Sequence, residues 1–161
     1  MADRRAIFAA GALLLAVSAC TGGNNDQDPS GRTTTVSPAA VRTDAEPITK
    51  RFPALGAPTD LHWQGAAAGA DSGGVPGPTD VRIQALIVLT PDLVAAAQKD
   101  YQFQPATGAP DLTTQLQPFA PAAAAWRESD AFTQKVRTAK YSGTILLDPA
   151  SRTLWLDVIG G

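Results

Sequence analysis

A run of 14 apolar and small residues near the start of the chain, residues 6–19, limits the folded part of the protein to the residues after it. Arg4 and Arg5 precede the run, and Cys20, the one cysteine of the chain, comes directly after it. A membrane-spanning helix needs about 20 apolar residues, so the run alone is too short for one. A basic pair, an apolar run and small residues in this order are typical of a secretory signal peptide.

The end of this run, Val17-Ser18-Ala19-Cys20, resembles the lipobox of bacterial lipoprotein precursors. The resemblance implies that a diacylglyceryl group, for example with palmitate chains, is attached to Cys20 and that residues 1–19 are then removed. Two acyl chains, at ~0.8 kcal/mol per buried methylene, give on the order of 20 kcal/mol of membrane attachment. The implied location is the extracytoplasmic face of the cell membrane. An ordinary secretory signal, an uncleaved anchor and twin-arginine export remain open alternatives.

Removal of residues 1–19 leaves 142 of the 161 residues, which is enough for one domain. With Cys20 acylated, no thiol remains for a disulfide, a metal site or catalysis, so the domain is held together by packing. The shortened chain has 11 basic and 14 acidic residues, a net charge of −3. This balance does not favour nucleic-acid binding. The abundance of Ala, Gly, Pro and Arg is typical of a GC-rich, for example actinobacterial, genome.

Residues 21–58 are rich in Gly, Asn, Asp, Pro and Thr and show no apolar periodicity. Such a segment cannot offset the ~1–2 kcal/mol per residue that ordering a backbone requires. We therefore predict a lipid-anchored, disordered tether over residues 20–58, with an average reach of roughly 35 Å. The folded domain is predicted over residues 59–161.

Local patterns in the folded part predict both strands and helices. Alternating apolar residues predict a central strand over residues 80–89, and residues 61–64 are a short candidate strand. Asp148-Pro149 between two β-rich runs predicts a C-terminal β-hairpin. Thr90-Pro91-Asp92 and Ser129-Asp130 predict helix starts. The predicted fold is a small α+β domain with a three- to four-stranded, mainly antiparallel sheet and one or two helices.

The motifs in the sequence indicate no catalytic residue, metal ligand or cofactor. The segment Asp71-Ser72-Gly73-Gly74 resembles the surroundings of the nucleophile in trypsin-like serine proteases, whose chemistry needs a histidine and an orienting acid. The one histidine, His62, lies ten residues before Ser72, and the domain is too small for that fold. No His, Cys or carboxylate cluster has metal-ligand spacing, and no phosphate-binding Gly loop occurs.

Aromatic residues supply the candidate binding site. Trp126, Tyr101 and Phe103 form a possible binding patch, because aromatic side chains are enriched in the cores of interfaces. The alternative is that they are ordinary core residues.

The favoured function is a non-enzymatic envelope lipoprotein that binds an envelope protein or a small ligand and meets the membrane through Cys20. The alternative is a small envelope hydrolase, or an accessory domain of an envelope enzyme. It would use His62 with Asp80 or Asp157.

The lipobox can be tested at the cysteine itself. We expect Cys20→Ser to block lipid attachment and processing, because the thioether cannot form on a hydroxyl. Membrane association after a salt wash and the mass of the mature chain measure both effects. An unchanged mass together with unchanged membrane association in the variant would contradict the lipobox.

Overall fold

The structure, a computed structural model, describes residues 39–68 and 80–160. Short 3₁₀ turns occur at Pro53–Leu55 and Gln117–Phe119. The helices and strands, in chain order, are α1 (Glu46–Arg51), β1 (Asp60–Ala68), β2 (Asp80–Val88), α2 (Pro91–Asp100), β3 (Gln104–Pro105), β4 (Arg127–Glu128), α3 (Asp130–Arg137), β5 (Tyr141–Asp148) and β6 (Thr153–Gly160). The predicted signal peptide, Cys20 and the motif around Ser72 lie outside the described residues.

The strands form one antiparallel sheet in the order β1-β2-β6-β5-β4-β3. Two antiparallel pairs, β1–β2 and β5–β6, lie side by side because β2 pairs with β6 over eight residues, from Val81↔Gly160 to Val88↔Thr153. Side chains alternate between the two faces of a sheet, so this register decides which residues share a face.

The face that carries the three helices, which we call the helical face, holds the main core. Alternate residues of the four long strands pack there against the helices and the first 3₁₀ turn. Its buried members are Leu61, Trp63, Ile83, Ala85, Ile87, Ile145, Leu147, Leu154, Leu156 and Val158 from the strands, with Ile48, Phe52, Leu55, Leu89, Val94, Ala97, Phe132 and Val136 from the segments that cover them.

The opposite face, which we call the second face, is covered in part by the loop between β3 and β4. Leu86, Leu146 and Trp155 from the sheet pack against Leu116 of this loop. Toward the end of β1 and the start of β2, this face carries polar side chains, among them Gln64, Arg82 and Gln84, beside the apolar Ala66 and Ile159. The second face therefore combines a small apolar core with a polar area.

The folded part begins well before residue 59. Ile48, Phe52 and Leu55 follow one another at helical spacing and are fully buried on the helical face. Each such side chain stabilises a fold by roughly 1.5–3 kcal/mol, so the three together offset much of the entropy lost when the short helix α1 is ordered. The tether predicted over residues 20–58 is therefore wrong for residues 39–58, while residues 20–38 lie outside the described part.

Residues 42–44 cover the outer edge of β1. The Arg42 N–H donates to the Trp63 carbonyl at 2.7 Å, and the Trp63 N–H donates to the Arg42 carbonyl at 2.9 Å. The Arg42 guanidinium lies 4.2 Å from the centroid of the Trp63 ring. Hydrogen bonds from Arg42 hold the pKa of the Asp44 carboxyl below its usual value. The contribution of this ionised carboxylate to the stability of the fold is present near neutral pH. It is lost as the pH falls through the lowered pKa.

The predicted sheet of three to four strands with one or two helices is wrong, because the structure has six strands and three helices in the described residues. The additional strands, β3 and β4, contain two residues each and pair with each other through Gln104↔Glu128 and Pro105↔Arg127. Strands this short have no periodicity to detect, and β3 includes a proline. Their pairing arises from tertiary contacts that no local pattern reveals.

Turn and cap chemistry places other elements where the sequence indicates them. The Thr90 side chain accepts a hydrogen bond from the Leu93 N–H at 3.3 Å, and Ser129 does the same for the Phe132 N–H at 3.5 Å. The β5–β6 turn is held by Asp148, whose carboxylate accepts from the N–H and the hydroxyl of Ser151.

Close contact between β5 and β6 requires glycine at position 143. Gly143 has a φ of +139°, and a Cβ there would overlap the carbonyl oxygen of Asp157. We expect Gly143→Ala to lower the free energy of unfolding by on the order of 2–4 kcal/mol, because backbone strain and overlap both contribute. Urea denaturation measures this loss. Gly108→Ala is the matched control, since a Cβ there meets nothing within 4 Å, and an equal loss in both variants would contradict the prediction.

Candidate functional site

The three aromatic residues of the predicted binding patch lie on both faces of the sheet. Tyr101 and Phe103 follow α2 on the helical face, where their ring centroids lie 5.3 and 5.4 Å from that of Phe132. Trp126 packs on the second face, against the cluster that contains Trp155. The structure therefore brings two of the three together and separates them from Trp126.

Tyr101 and Phe103 line a cleft of about 440 Å³ at the start of α3. Its carboxyl side chains are Asp100, Glu128 and Asp130. Asp130 lies in the first turn of α3, where a carboxylate stabilises the positive end of the helix. Asp130 thus has a structural role, and the three carboxylates would attract cations rather than anions.

His62 is held by an aromatic contact on the second face. Its ring stacks on Phe119 with a centroid distance of 3.7 Å and an interplanar angle of 15°. The Nδ1 atom lies 3.7 Å from the Asp60 carboxylate, which is beyond hydrogen-bond distance. Packing accounts for the position of this ring.

The strand register separates His62 from both acids of the hydrolase alternative. Asp80 pairs with Ala68, six residues along β1 from His62, which is about 20 Å of extended strand. Asp157 is two strands across and two residues along, about 12 Å between Cα atoms. Since an acid–base pair must come within about 3.2 Å, the geometry gives no support to either pairing.

The polar area of the second face contains a connected set of side chains: Gln64, Arg82, Gln84, Thr113 and Asp157, which we call the polar cluster. Gln64, Gln84 and Asp157 are neighbours across β1, β2 and β6, because the register pairs Gln64 with Gln84 and Gln84 with Asp157. Strand pairing therefore builds the cluster, and Thr113 is added by the loop between β3 and β4.

Arg82 and Asp157 form the charged part of the polar cluster. The Arg82 Nε and Nη2 atoms donate to the two carboxylate oxygens of Asp157 at 2.8 and 2.6 Å. Hydrogen bonding to Asp157 raises the pKa of Arg82 above its usual value, so the guanidinium stays charged at every physiological pH. The two charges compensate each other, and this part of the cluster has no net charge.

Gln84 is the fully satisfied member of the cluster, at 2% exposure. Its Nε2 donates to the Asp157 carboxylate at 3.0 Å and to the Asp111 carbonyl at 2.8 Å. Its Oε1 accepts from the Thr113 N–H at 3.3 Å. These bonds hold the loop against the sheet at the side of the cluster.

Gln64 differs from Gln84, because its amide has an atom without a partner. The residue is 9% exposed, and its Nε2 donates to the Thr113 Oγ1 at 2.7 Å. Its Oε1 is buried and makes no hydrogen bond among the described residues. Reversing the amide would leave the nitrogen without an acceptor instead, so one amide atom stays unpaired in either orientation.

Gln64 lines a cavity of about 100 Å³. Arg82, Gln84 and Thr113 line the same cavity, and Ala66 contributes a methyl group. Buried polar groups are nearly always paired with protein, water or a ligand, so the unpaired amide atom sets this cavity apart as a candidate site. The cavity is the best candidate for a ligand site in the described part of the chain.

The polar cluster is not apparent from the sequence, because its members are far apart in the chain. Arg82 and Gln84 mark the polar side of β2, and Asp157, taken alone, fits a solvent-facing strand residue. The available signal is that both central strands carry polar residues at alternate positions. Nothing local indicates that these positions face each other beneath a loop.

Neither a metal centre nor a membrane-spanning helix is found in the residues that the structure describes. Within residues 39–68 and 80–160, no group of three or more His, Cys, Asp or Glu side chains is placed to hold a metal ion. In the same part of the chain, no helix is long and apolar enough to cross a membrane.

Comparison with known proteins gives no match: no protein-family model, no curated protein and no solved structure matches this chain.

The ion pair of the polar cluster can be tested with two aspartates that face the same arginine. Asp157 is 15% exposed at 2.6 Å from Arg82 Nη2, whereas Asp111 is 91% exposed at 3.9 Å. We expect Asp157→Asn to lower the free energy of unfolding by about 1–3 kcal/mol, because it removes the charge that balances Arg82. Asp111→Asn should change it by no more than about 0.5 kcal/mol. Equal losses in urea denaturation would contradict the assignment.

Proposed function

We propose that this protein is a lipid-anchored, non-enzymatic binding protein of the bacterial cell envelope, whose ligand enters the cavity of the polar cluster. The observation that carries the binding site is the unpaired amide of Gln64, nine-tenths buried at the cavity. The envelope location rests on the basic pair, apolar run and lipobox of residues 4–20.

Binding is favoured over catalysis by the way the polar groups are engaged. The Asp157 carboxylate accepts hydrogen bonds from Arg82 and Gln84, so its charge is already compensated. A general base needs a free lone pair directed at a reacting group. The groups of the cluster are arranged to hold a partner rather than to transfer a proton.

The charge and size of the cavity limit the class of ligand. Arg82 and Asp157 cancel each other, so a charged ligand group would lose its hydration without gaining an opposite charge. The volume of about 100 Å³ corresponds to roughly three water molecules. An uncharged group of a few heavy atoms with one N–H or O–H donor for Gln64 fits these limits.

An acetamido group meets these requirements and is available in the envelope. It supplies one N–H donor, one carbonyl acceptor and one methyl group, and the cavity is lined by the polar residues Gln64, Arg82 and Thr113 together with Ala66. The amino sugars of peptidoglycan carry this group. We therefore choose N-acetylglucosamine as the probe.

Calorimetric titration of the full chain in neutral detergent tests the proposal. We expect N-acetylglucosamine to bind more tightly than glucose, which lacks the acetamido group, and glucosamine, which carries an ammonium. Gln64→Leu should weaken binding by about tenfold or more, because it removes the buried hydrogen-bond partner. The variant should stay folded, since leucine fills a similar volume.

The matched control is Gln98→Leu, an exposed glutamine on α2, which should bind like the wild type. Circular dichroism checks that both variants are folded. Binding by Gln64→Leu as tight as by the wild type, or no preference for the acetylated sugar, would contradict the proposed site.

A further inference from the structure

A second cavity, of about 490 Å³, lies on the helical side of the sheet between the end of α1 and the start of β5. Lys50 and Arg51 line it from α1, and Lys140 and Tyr141 line it from the segment that joins α3 to β5. We call it the cationic cavity, because three of its lining residues are basic and none is acidic.

Only part of this positive charge is compensated within the described residues. Lys50 pairs with Glu46 one turn earlier in α1, where both side chains are largely exposed. Arg51 donates to the Pro47 carbonyl at 3.0 Å, which satisfies a donor but leaves the charge uncompensated. Lys140 has no carboxylate within 4.0 Å in the described part of the chain. About two positive charges thus remain at the cavity.

Helix stabilisation explains two of these basic residues but not the third. Lys50 and Arg51 lie in the last turn of α1, where positive side chains compensate the exposed carbonyl groups. Lys140 lies three residues beyond the end of α3, directly before β5. Its charge comes to the same cavity from a different part of the chain.

The backbone around Lys140 is held in a fixed conformation. A Cβ at Gly160 would overlap the Lys140 carbonyl oxygen, so β6 packs tightly against this segment. The Tyr141 ring lies 5.0 Å, centroid to centroid, from the fully buried Phe52. Thr138 has a φ of +59°, which is unfavourable for a β-branched residue and persists only where packing imposes it. The backbone that carries Lys140 is therefore fixed before binding, which reduces the entropy lost by this part of the wall.

We propose that the cationic cavity binds a phosphate group. A phosphate monoester carries about −1.5 to −2 charges at pH 7, which matches the two uncompensated positive charges. Lysine and arginine are both common phosphate ligands, and the volume is within the usual range for small-molecule sites. A soluble phosphate ester and the phosphate of an anionic lipid headgroup share this chemistry. The site is separate from the cavity of the polar cluster, which has no net charge.

Inorganic phosphate is the probe for the shared chemistry. We expect phosphate to raise the melting temperature of the full chain in neutral detergent more than chloride at equal ionic strength, with a saturable dependence on concentration. Lys140→Gln and Arg51→Gln should each weaken the apparent affinity by about fivefold, the effect of one basic residue near an anionic group. Lys99→Gln, on the exposed side of α2, is the matched control and should behave like the wild type.

A second arm distinguishes the source of the phosphate. The full chain is placed in nanodiscs of phosphatidylcholine alone or with phosphatidylglycerol, and hydrogen exchange is measured over residues 138–141. Protection by phosphatidylglycerol that is lost in Lys140→Gln assigns a lipid headgroup. A phosphate effect without that protection assigns a soluble ester.

The proposal is wrong if neither phosphate nor phosphatidylglycerol has an effect beyond that of ionic strength. It is also wrong if Lys140→Gln and Arg51→Gln respond like Lys99→Gln. Neither result depends on whether N-acetylglucosamine binds at the other cavity, so the two proposals fail separately.

Discussion

The pairing of β2 with β6 is the constraint on which the rest of the structure depends. It joins two antiparallel pairs into one sheet and fixes which side chains share a face, for example by placing Ile83 opposite Val158. Side chains alternate along a strand, so a shift of one residue in β6 would bring Asp157 into the apolar core and move Val158 to the polar side. Burying a carboxylate away from Arg82 is strongly unfavourable. Core and ion pair therefore select the same register.

This register creates the candidate site as well as the core. Each pair that buries two apolar residues on the helical face is followed along the strands by a pair on the second face, such as Gln84 opposite Asp157. Because rigid central strands hold these residues, the cavity walls are fixed before any ligand arrives. The loop between β3 and β4 completes the site through Thr113, and the buried Leu116 holds that loop to the sheet.

The parts of the fold that could be predicted are those whose cause is local. The cap at Thr90 and the turn at Asp148 are decided within a few residues, and the sequence indicates both. The pairing of β3 with β4 and the packing of α1 depend on contacts with the finished sheet, so local patterns miss them. The spacing of Ile48, Phe52 and Leu55 is a readable helical signal, but the surrounding Pro and Thr residues hide it.

The candidate site cannot be predicted from the sequence, because the burial of its residues depends on a loop that is distant in the chain. The same burial supports a role in binding. A glutamine in a half-polar strand is usually interpreted as a solvent-facing residue, and only the covering loop makes Gln64 a buried one. An unpaired buried amide atom destabilises a fold by about 1–3 kcal/mol relative to a paired one. A small domain with a net stability of about 5–15 kcal/mol has little room for such a loss. A partner that completes the hydrogen bond would offset this loss, and the proposed ligand of the polar cluster would be such a partner.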